Sequence, residues 1–359
     1  MGEWRVVRFG DVTENFDPLR VPVRSGDRVQ GMYPYYGASG IVDYVHDYIF
    51  DGEYLLIAED GENLRTRKTP VAFMASGKFW VNNHAHVVRG NALASSRFLC
   101  YVLTGIDISG NLSGSTQPKL TQASLNDVRL RVPDRETQDS IVEVLGALDD
   151  KIALNERISD TSLALGRSVF RQETQAAGAE TALGDLATLQ YGKALPAPLR
   201  RPGSVPVFGC TGQVGFHDTA LTQSAHPVVG RKGANAGHVS WLPEPGWIID
   251  TAFYAMPKKK EVSNEVLYFV LDAAGISTLT ADSAVPGVNR DVALRHRIRT
   301  PALGRLEELA PQAETFLATC QQAARENRTL ADLRDTLLPQ LITGKLRVKD
   351  ATRVVEEAV

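Results

Sequence analysis

The stretch "STQPKLTQASLNDVRLRVP" at residues 115–133 returns as "SAVPGVNRDVALRHRIRTP" at residues 283–301, and this doubling constrains the chain more than any other feature of its 359 residues. Both copies open on Ser, hold Pro at the fourth place and close on Pro after an alternating apolar and basic run. Pro118 maps to Pro286 and Pro133 to Pro301 with one offset, 168. Further pairs occur at nearly that spacing: "FGDV" at Phe9 with "LGDL" at Leu183, "YPYYGASG" at Tyr33 with "VPVFGCTG" at Val205, "AEDGEN" at Ala58 with "GRKGAN" at Gly230, and "WVNNHA" at Trp80 with "WIIDTA" at Trp247. The offsets drift by a few residues, as loop insertions would cause. So long a period exceeds any solenoid unit, and the chain reads as two copies of a whole domain, each with a trailing segment of its own.

Each copy has room for a core of its own. From Trp4 to Pro133 the sequence is broken by Gly, Pro and Asn, with runs such as "EYLLIAE", "PVAFMA", "AHVV" and "DVRLRVP" that read as strands. A short helix is expected at "SSRFLCYVL", and "EVLYFVLDA" stands at its place in the second copy. After each closing proline the period changes from two to about 3.6. Ile141, Leu145, Leu148, Ile152, Asn155, Ile158, Ser162, Leu165 and Val169 recur at spacings of three and four. Leu306, Leu309, Ala313, Phe316, Cys320, Ala323, Asn327, Leu330, Leu333, Leu337 and Leu341 do the same in the second copy. Asp134 and Thr300 are expected N-caps, Pro311 and Pro339 should kink the second helix, and Gly344 stands where a C-terminal cap belongs.

A stripe of this kind on one helix is usually covered by its own domain. Here two long helices come after two similar domains, and each carries an Asn on the stripe, Asn155 and Asn327, where an apolar face would not want one. A buried Asn costs stability and fixes register, so the helices are expected to pair with one another. Internal two-fold symmetry makes that pair antiparallel. The predicted architecture is α+β, two similar mixed α/β heads separated by a pair of long antiparallel coiled-coil helices. The expected boundaries are a first head over 1–133, a central helix over 134–175, a second head over 176–300, a C-terminal helix over 301–345 and a tail over 346–359. At about 1.5 Å per residue the central helix would extend roughly 58 Å, a spacer between two heads.

Two diverged heads on a stiff spacer suit a ligand touched at two places, and DNA half-sites about 34 Å apart fall within that reach. The loops hold suitable side chains. In the first head these are Glu62, Asn63, Arg65, Arg67, Lys68, Asn82, Asn83, His84, His86, Ser115, Thr116, Gln117 and Lys119. In the second they are Arg231, Lys232, Asn235, Asp250, Thr251, Asn289 and Arg290. Asn and Gln can grip adenine through two hydrogen bonds, and Arg or Lys can grip guanine. A solvated polar loop is the plainer reading of any one of them. A coiled-coil adaptor whose heads bind proteins or glycans stays open as the alternative.

Composition narrows the classes. A formal charge of −3 announces neither nucleic acid nor membrane for the chain as a whole. Three cysteines give no disulfide framework and suit a reducing cytoplasm. No apolar run approaches the roughly 18 residues of a membrane span, nor does the start hold a signal-peptide core. His84 and His86 share a strand face but lack further ligands at metal spacing. "TGKL" lacks the residues of a P-loop, and "GRKGANAG" does not match a dinucleotide fingerprint. No metal or cofactor is expected in this chain, and it reads as non-enzymatic.

At this point the residues resemble a known family, the DNA specificity subunits (S subunits) of type I restriction-modification systems. "LGALDDKIALNERI" with the adjoining "ALGRSVF" resembles that family's central helix, and "LRDTLLPQLITGKLRV" resembles the end of its C-terminal helix. "YPYYGASGIVDYV" and "GSTQPKLT" are similar to motifs of its target recognition domains. The second copy departs from them, with "VPGVN" for "QPKLT" and "GFHDTAL" for "DYVHDYI". The resemblance implies a cytoplasmic protein that binds a bipartite asymmetric site on double-stranded DNA, one target recognition domain per half, with the helices setting the gap. It implies as partners two methyltransferase (modification) subunits, which methylate adenine with S-adenosylmethionine, and a motor endonuclease (restriction) subunit. S-adenosylmethionine, Mg and ATP would then belong to those partners.

Overall fold

The computed structural model describes residues 4–114, 116–280 and 286–358. It divides into two compact units, Met1–Ile152 with Arg328–Val359, and Ala153–Asn327. Each unit therefore holds one head and a segment of both long helices, Arg135–Ala177 and Leu303–Ile342.

In the first unit the expected strands appear as Tyr54–Ala58, Ala72–Ala75 and Ala85–Gly90, joined by Thr13–Asn15 into one antiparallel sheet. A second sheet holds Gln30–Gly37, Gly40–Val45, Lys78–Val81 and Phe50–Asp51, with a parallel pairing of Tyr35 and Trp80 at its centre. Arg5–Arg8 pairs with Arg129–Val132, so a short ribbon ties the start of the head to its end.

The second unit repeats this plan. Ala187–Tyr191, Ala252–Pro257, His226–Gly230 and Val239–Leu242 form the first sheet in the same order. Gly212–His217, Val205–Gly209 and Trp247–Ile248 form the second, again with a central parallel pairing, Val207 with Trp247. The closing ribbon is Ala179–Ala182 with Arg297–Thr300. Topology thus bears out the doubling read from the sequence. The two short helices match as well. Ser95 caps Ser96–Gly105 by accepting from the Phe98 N–H at 3.1 Å, and Ser263 caps Asn264–Ala273 by accepting from the Val266 N–H at 3.2 Å.

Within each unit the long-helix segments pack against one another and run antiparallel. In the second, Asn155 meets Asn327, the Ser162 hydroxyl donates to the Phe316 carbonyl, and Glu173 binds Arg305, so one numbering rises as the other falls. Asn155 is buried, and its amide donates to Asn327 at 2.9 Å and to Glu326 at 2.8 Å, meeting the need a buried polar group has for partners. Cys320 lies beside the Ser159 carbonyl at 3.5 Å, and Phe316 packs edge-on to Phe269. In the first unit Ile141, Leu145, Leu148, Leu330 and Leu337 are buried in one core, with Ile152 packed against it. Each such leucine contributes roughly 1.5–3 kcal/mol by its burial.

Some expectations yield to the structure. Ile158 and Leu165 face outward, 40% and 53% exposed, because the segment after Asn155 turns Ser162, Gly166 and Phe170 inward instead. Thr300 is not an N-cap. Strand pairing with Ala179 holds it, its hydroxyl is buried without a partner, and the helix starts only at Leu303. Pro311 and Pro339 sit on the exposed side of the second long helix, which continues past both from Leu303 to Ile342, since water there can take the carbonyl that lost its donor. Asp134 does cap the first helix, accepting from the Thr137 N–H at 2.9 Å, and Gly344 ends the second with φ of +70°. The tail is a further helix, Val348–Ala358, whose Ala351 is buried in the first unit's core.

Two helix glycines give opposite expectations. A Cβ on Gly166 would lie 2.5 Å from two Phe269 ring carbons, and that ring is stacked on Phe170 at 4.8 Å and cannot withdraw. Gly166→Ala should cost about 1–3 kcal/mol by overpacking. A Cβ on Gly146 would meet only the Tyr101 hydroxyl at 4.0 Å, so Gly146→Ala should stabilise by about 0.5–1 kcal/mol through helix propensity. Denaturant midpoints of the two variants should move in opposite directions.

Candidate nucleic-acid interface

The doubled stretch has a concrete structural role. In the first unit the Leu120 N–H donates to the Glu59 carbonyl at 2.8 Å, the Gly61 N–H donates to the Pro118 carbonyl at 3.1 Å, and Asp60 bridges Lys119 as a strand pair would. In the second unit Val288 donates to Arg231 at 2.9 Å, Gly233 donates to Pro286 at 3.0 Å, and Lys232 bridges Gly287. The same backbone clamp therefore joins the glycine loop to the proline-led loop twice. Gly61 and Gly233 hold φ of +108° and +102°, a region that excludes most side chains. The third loop behaves alike in both units. Asn82 donates its N–H to the Tyr36 carbonyl and Ile249 to Phe208, while the Trp80 and Trp247 indoles donate to the Val21 and Lys193 carbonyls.

These clamps bring the sequence-predicted loops together within each unit. In the first, Arg65 donates to the Gly114 carbonyl at 2.7 Å and lies 3.8 Å from Glu62, while His84 pairs with Asp60 at 2.8 Å and Lys119 with Glu59 at 3.2 Å. Lys68, Asn83, Thr116 and Gln117 are exposed on the same loops, and Ser115 lies outside the described residues. In the second, the Arg231 and Lys232 N–H groups both donate to the Thr251 carbonyl, and the Arg231 guanidinium donates to the Asp250 carbonyl at 3.0 Å. Asn235 is exposed on the same glycine loop.

Several of the named side chains are committed to folding. Arg67, with φ of +47°, donates to the Leu103 and Thr104 carbonyls at the end of helix Ser96–Gly105. Asn63 exchanges two hydrogen bonds with Thr69, and the Asn82 side chain accepts from the His84 N–H. The Thr251 hydroxyl accepts from the Cys210 N–H, and Asn289 caps helix Arg290–Arg295. Such side chains stiffen the loops and have fewer groups left for a ligand.

His86, included among the loop side chains, is buried behind the interface. Its Nδ1 lies 2.6 Å from Asp17 and its Nε2 lies 2.8 Å from the Leu120 carbonyl, so it fastens the proline-led loop from beneath. Arg20 binds Asp17 at 3.4 Å and Glu59 at 2.8 Å. Sequence reasoning passed over Asp17, Arg20 and Glu59. Burial opposes ionisation of Asp17, yet the hydrogen bond from His86, with help from the Val87 N–H and Arg20, holds its carboxyl below the usual range. Burial likewise opposes ionisation of Glu59, and Arg20, His86 and Lys119 outweigh it. In the second unit the corresponding places carry an exposed Tyr191 with the Arg231 and Arg290 guanidiniums over its ring, which the sequence also left unmarked. The signal that would have found it is the repeat offset, which sets Arg231 opposite Glu59.

Among the described residues no group of three His, Cys, Asp or Glu side chains is placed to hold a metal ion, and no helix is long and apolar enough to cross a membrane.

Residues 1–161 match the family model described as "Type I restriction modification DNA specificity domain". S.HindORF215P of Haemophilus influenzae, by name a type I restriction enzyme specificity subunit, is 41% identical over 150 residues, which are 41% of this chain and 37% of that protein. The EcoprrI specificity subunit of Escherichia coli is 31% identical over 121 residues, 33% of this chain and 28% of that one. The matched regions thus span less than two fifths of these two relatives. A crystal structure of the type I restriction-modification S subunit from M. genitalium superposes with a TM-score of 0.64 at 14% identity, covering 95% of this chain and 96% of that one, and shows the same fold.

Because Asp17 and Glu59 both titrate lower when folded than when unfolded, the stability they confer is complete above about pH 4.5 and is lost as pH falls through their folded values. Asp17→Ala leaves the buried His86 Nδ1 and the Val87 N–H without their partner and should cost about 1–3 kcal/mol at neutral pH. The variant should then lose less further stability than the native chain between pH 5 and 3 (about the span over which carboxyls titrate), as read by denaturant melts across that interval.

Proposed function

We propose that this chain is a DNA specificity subunit of a type I restriction-modification system, as the match over residues 1–161 supports, and that it selects the DNA sequence on which such a complex acts. Each head reads one half of a bipartite asymmetric target, and the long helices set the gap between halves. Two methyltransferase subunits and a motor endonuclease subunit join it in the cytoplasm. Adenine methylation and cleavage, with the S-adenosylmethionine, Mg and ATP they consume, belong to those partners, and this chain contributes recognition.

One observation carries the reading: the two heads keep a common backbone clamp while the side chains mounted on it differ. A duplicated frame with diverged display is what reading two unlike half-sites requires. The helix pair fits the part of a ruler, since its central Asn155 to Asn327 hydrogen bond resists sliding of one helix along the other. The slight negative charge of the chain is compatible with this role when the partner subunits supply most phosphate contacts.

Exchanging residues 1–133 for the first head of another family member should change one half of the methylated motif and leave the other half and the gap unchanged. Genome-wide mapping of methylated adenines in cells carrying the native or exchanged chain checks this. A change in both halves contradicts the division of labour, and binding that ignores DNA sequence and salt contradicts the function itself.

A further inference from the structure

The two units carry opposite charge at one equivalent place. Strand registers fix the correspondence, because Thr13 opposes Gly90 as Ala187 opposes Pro257, and the clamp aligns Glu59 with Arg231 and Asp60 with Lys232. By that register Tyr191 stands for Asp17 and Phe253 for His86. The first unit is neutralised here. Glu59 is met by Arg20 at 2.8 Å and Lys119 at 3.2 Å, and Asp17 by His86. In the second unit the hydrogen-bonded Asp17 and His86 are replaced by two rings 5.1 Å apart, Tyr191 and Phe253, and the Glu59 carboxylate is replaced by a guanidinium.

The Arg231 guanidinium lies 4.9 Å from the centre of the Tyr191 ring, and that of Arg290 lies 5.0 Å from the same ring, which is 46% exposed. Among the described residues no carboxylate comes within 4.0 Å of Arg231 or Lys232, and Arg290 meets only its neighbour Asp291, at 3.4 Å. Stacking on a ring offsets part of the repulsion between such cations. A ligand rich in acceptors would offset the rest. Arg231 is also fixed in place, between the Tyr191 and Phe253 rings and the Asp250 carbonyl at 3.0 Å. A phosphate contact needs only charge on a flexible stem, whereas recognition of a base edge needs a planar fork held at a set angle.

We infer that Arg231 of the second unit reads a guanine, donating to its N7 and O6 in the major groove, with Tyr191 and Arg290 as the positioning residues that hold the fork. The inference rests on the DNA-recognition reading above and makes it specific. The half-site read by the second unit contains a G·C pair at this contact, and the first unit has no equivalent because its Glu59 is already bound.

The test uses the full chain in complex with its modification subunits and a randomised duplex library. The native complex should require a guanine at one position of one half-site. Arg231→Ala should lower discrimination there by about 10- to 100-fold and leave the other half unchanged. Arg231→Lys should not restore it, and Tyr191→Phe should keep it where Tyr191→Ala does not. Replacing that guanine by 7-deazaguanine should weaken binding of the native complex and add nothing to Arg231→Ala, an arm whose first half needs no variant to fold. A native half-site without guanine overturns the inference, as does an unchanged motif in Arg231→Ala. So does uniform weakening on all sequences with a salt slope smaller by about one, which marks a phosphate contact. A native complex with no sequence preference defeats the DNA-recognition reading itself, a result distinct from a clean motif that ignores Arg231.

Discussion

The antiparallel contact between the long helices is the constraint on which both units depend. Neither head closes its own core. In the first unit Leu338 and Ile342 of the second long helix come up against Gly105 at the end of the short helix, and Tyr101 donates to Asp149, which also binds Arg334 at 2.9 Å. In the second, Phe269 of the short helix is enclosed by Phe170 of one long helix and Phe316 of the other. Each short helix lies on its own head's sheet and turns a second side, at Gly105 or Phe269, to the long helices, so folding of a head and pairing of the helices are coupled. The coupling explains why a polar residue such as Asn155 is tolerated. Leucine there would pack at many registers, while an amide that must find another amide accepts few.

The same logic separates frame from display within each head. Backbone groups make the clamp between the glycine loop and the proline-led loop, and backbone groups are the same whatever the side chain. Side chains at the clamp are thereby released from holding the fold and can diverge. Glu59 and Arg231 occupy one place, and the chain accommodates a full reversal of charge there by changing what lies beneath, from the Asp17 and His86 pair to the Tyr191 and Phe253 rings. An ionic network and an aromatic pair each support the residue above, but only the second leaves that residue, Arg231, without a protein anion among the described residues.

Most of the architecture was legible in the sequence. The repeat offset, the change of period after Pro133 and Pro301, and the two stripe asparagines lead to two like heads and an antiparallel helix pair. What escaped did so for physical reasons. Ile158 and Leu165 fit the helical period but lie on a face that no described neighbour covers, since periodicity says which residues share a side and not which side is packed. Thr300 has the chemistry of a cap, and strand pairing claimed it first. The tail was given no element, although Val348, Ala351 and Val355 recur at spacings of three and four, because so short a stripe forms a helix only on a core that the folded unit supplies. Within the interface the loops were legible as loops. The division of their polar residues into those that stiffen, such as Arg67 and Asn289, and those that face outward, such as Gln117 and Lys232, depends on long-range geometry that spacing along the chain does not encode.

Divergence after duplication is also cheaper in this arrangement than in a single reading surface. A change in what one head displays needs only the layer beneath and the side chain above it to change together, as Tyr191, Phe253 and Arg231 of the second unit differ from Asp17, His86 and Glu59 of the first. The clamp, the sheets and the short helix can stay as they are, because none of their hydrogen bonds passes through those side chains apart from the Arg231 contact to the Asp250 carbonyl. Helix register is held by contacts of the helices themselves, Asn155 with Asn327, Ser162 with Phe316 and Glu173 with Arg305. What a head displays can therefore change without disturbing its frame, because the clamp is made by backbone groups and the helix register by side chains on the helices themselves.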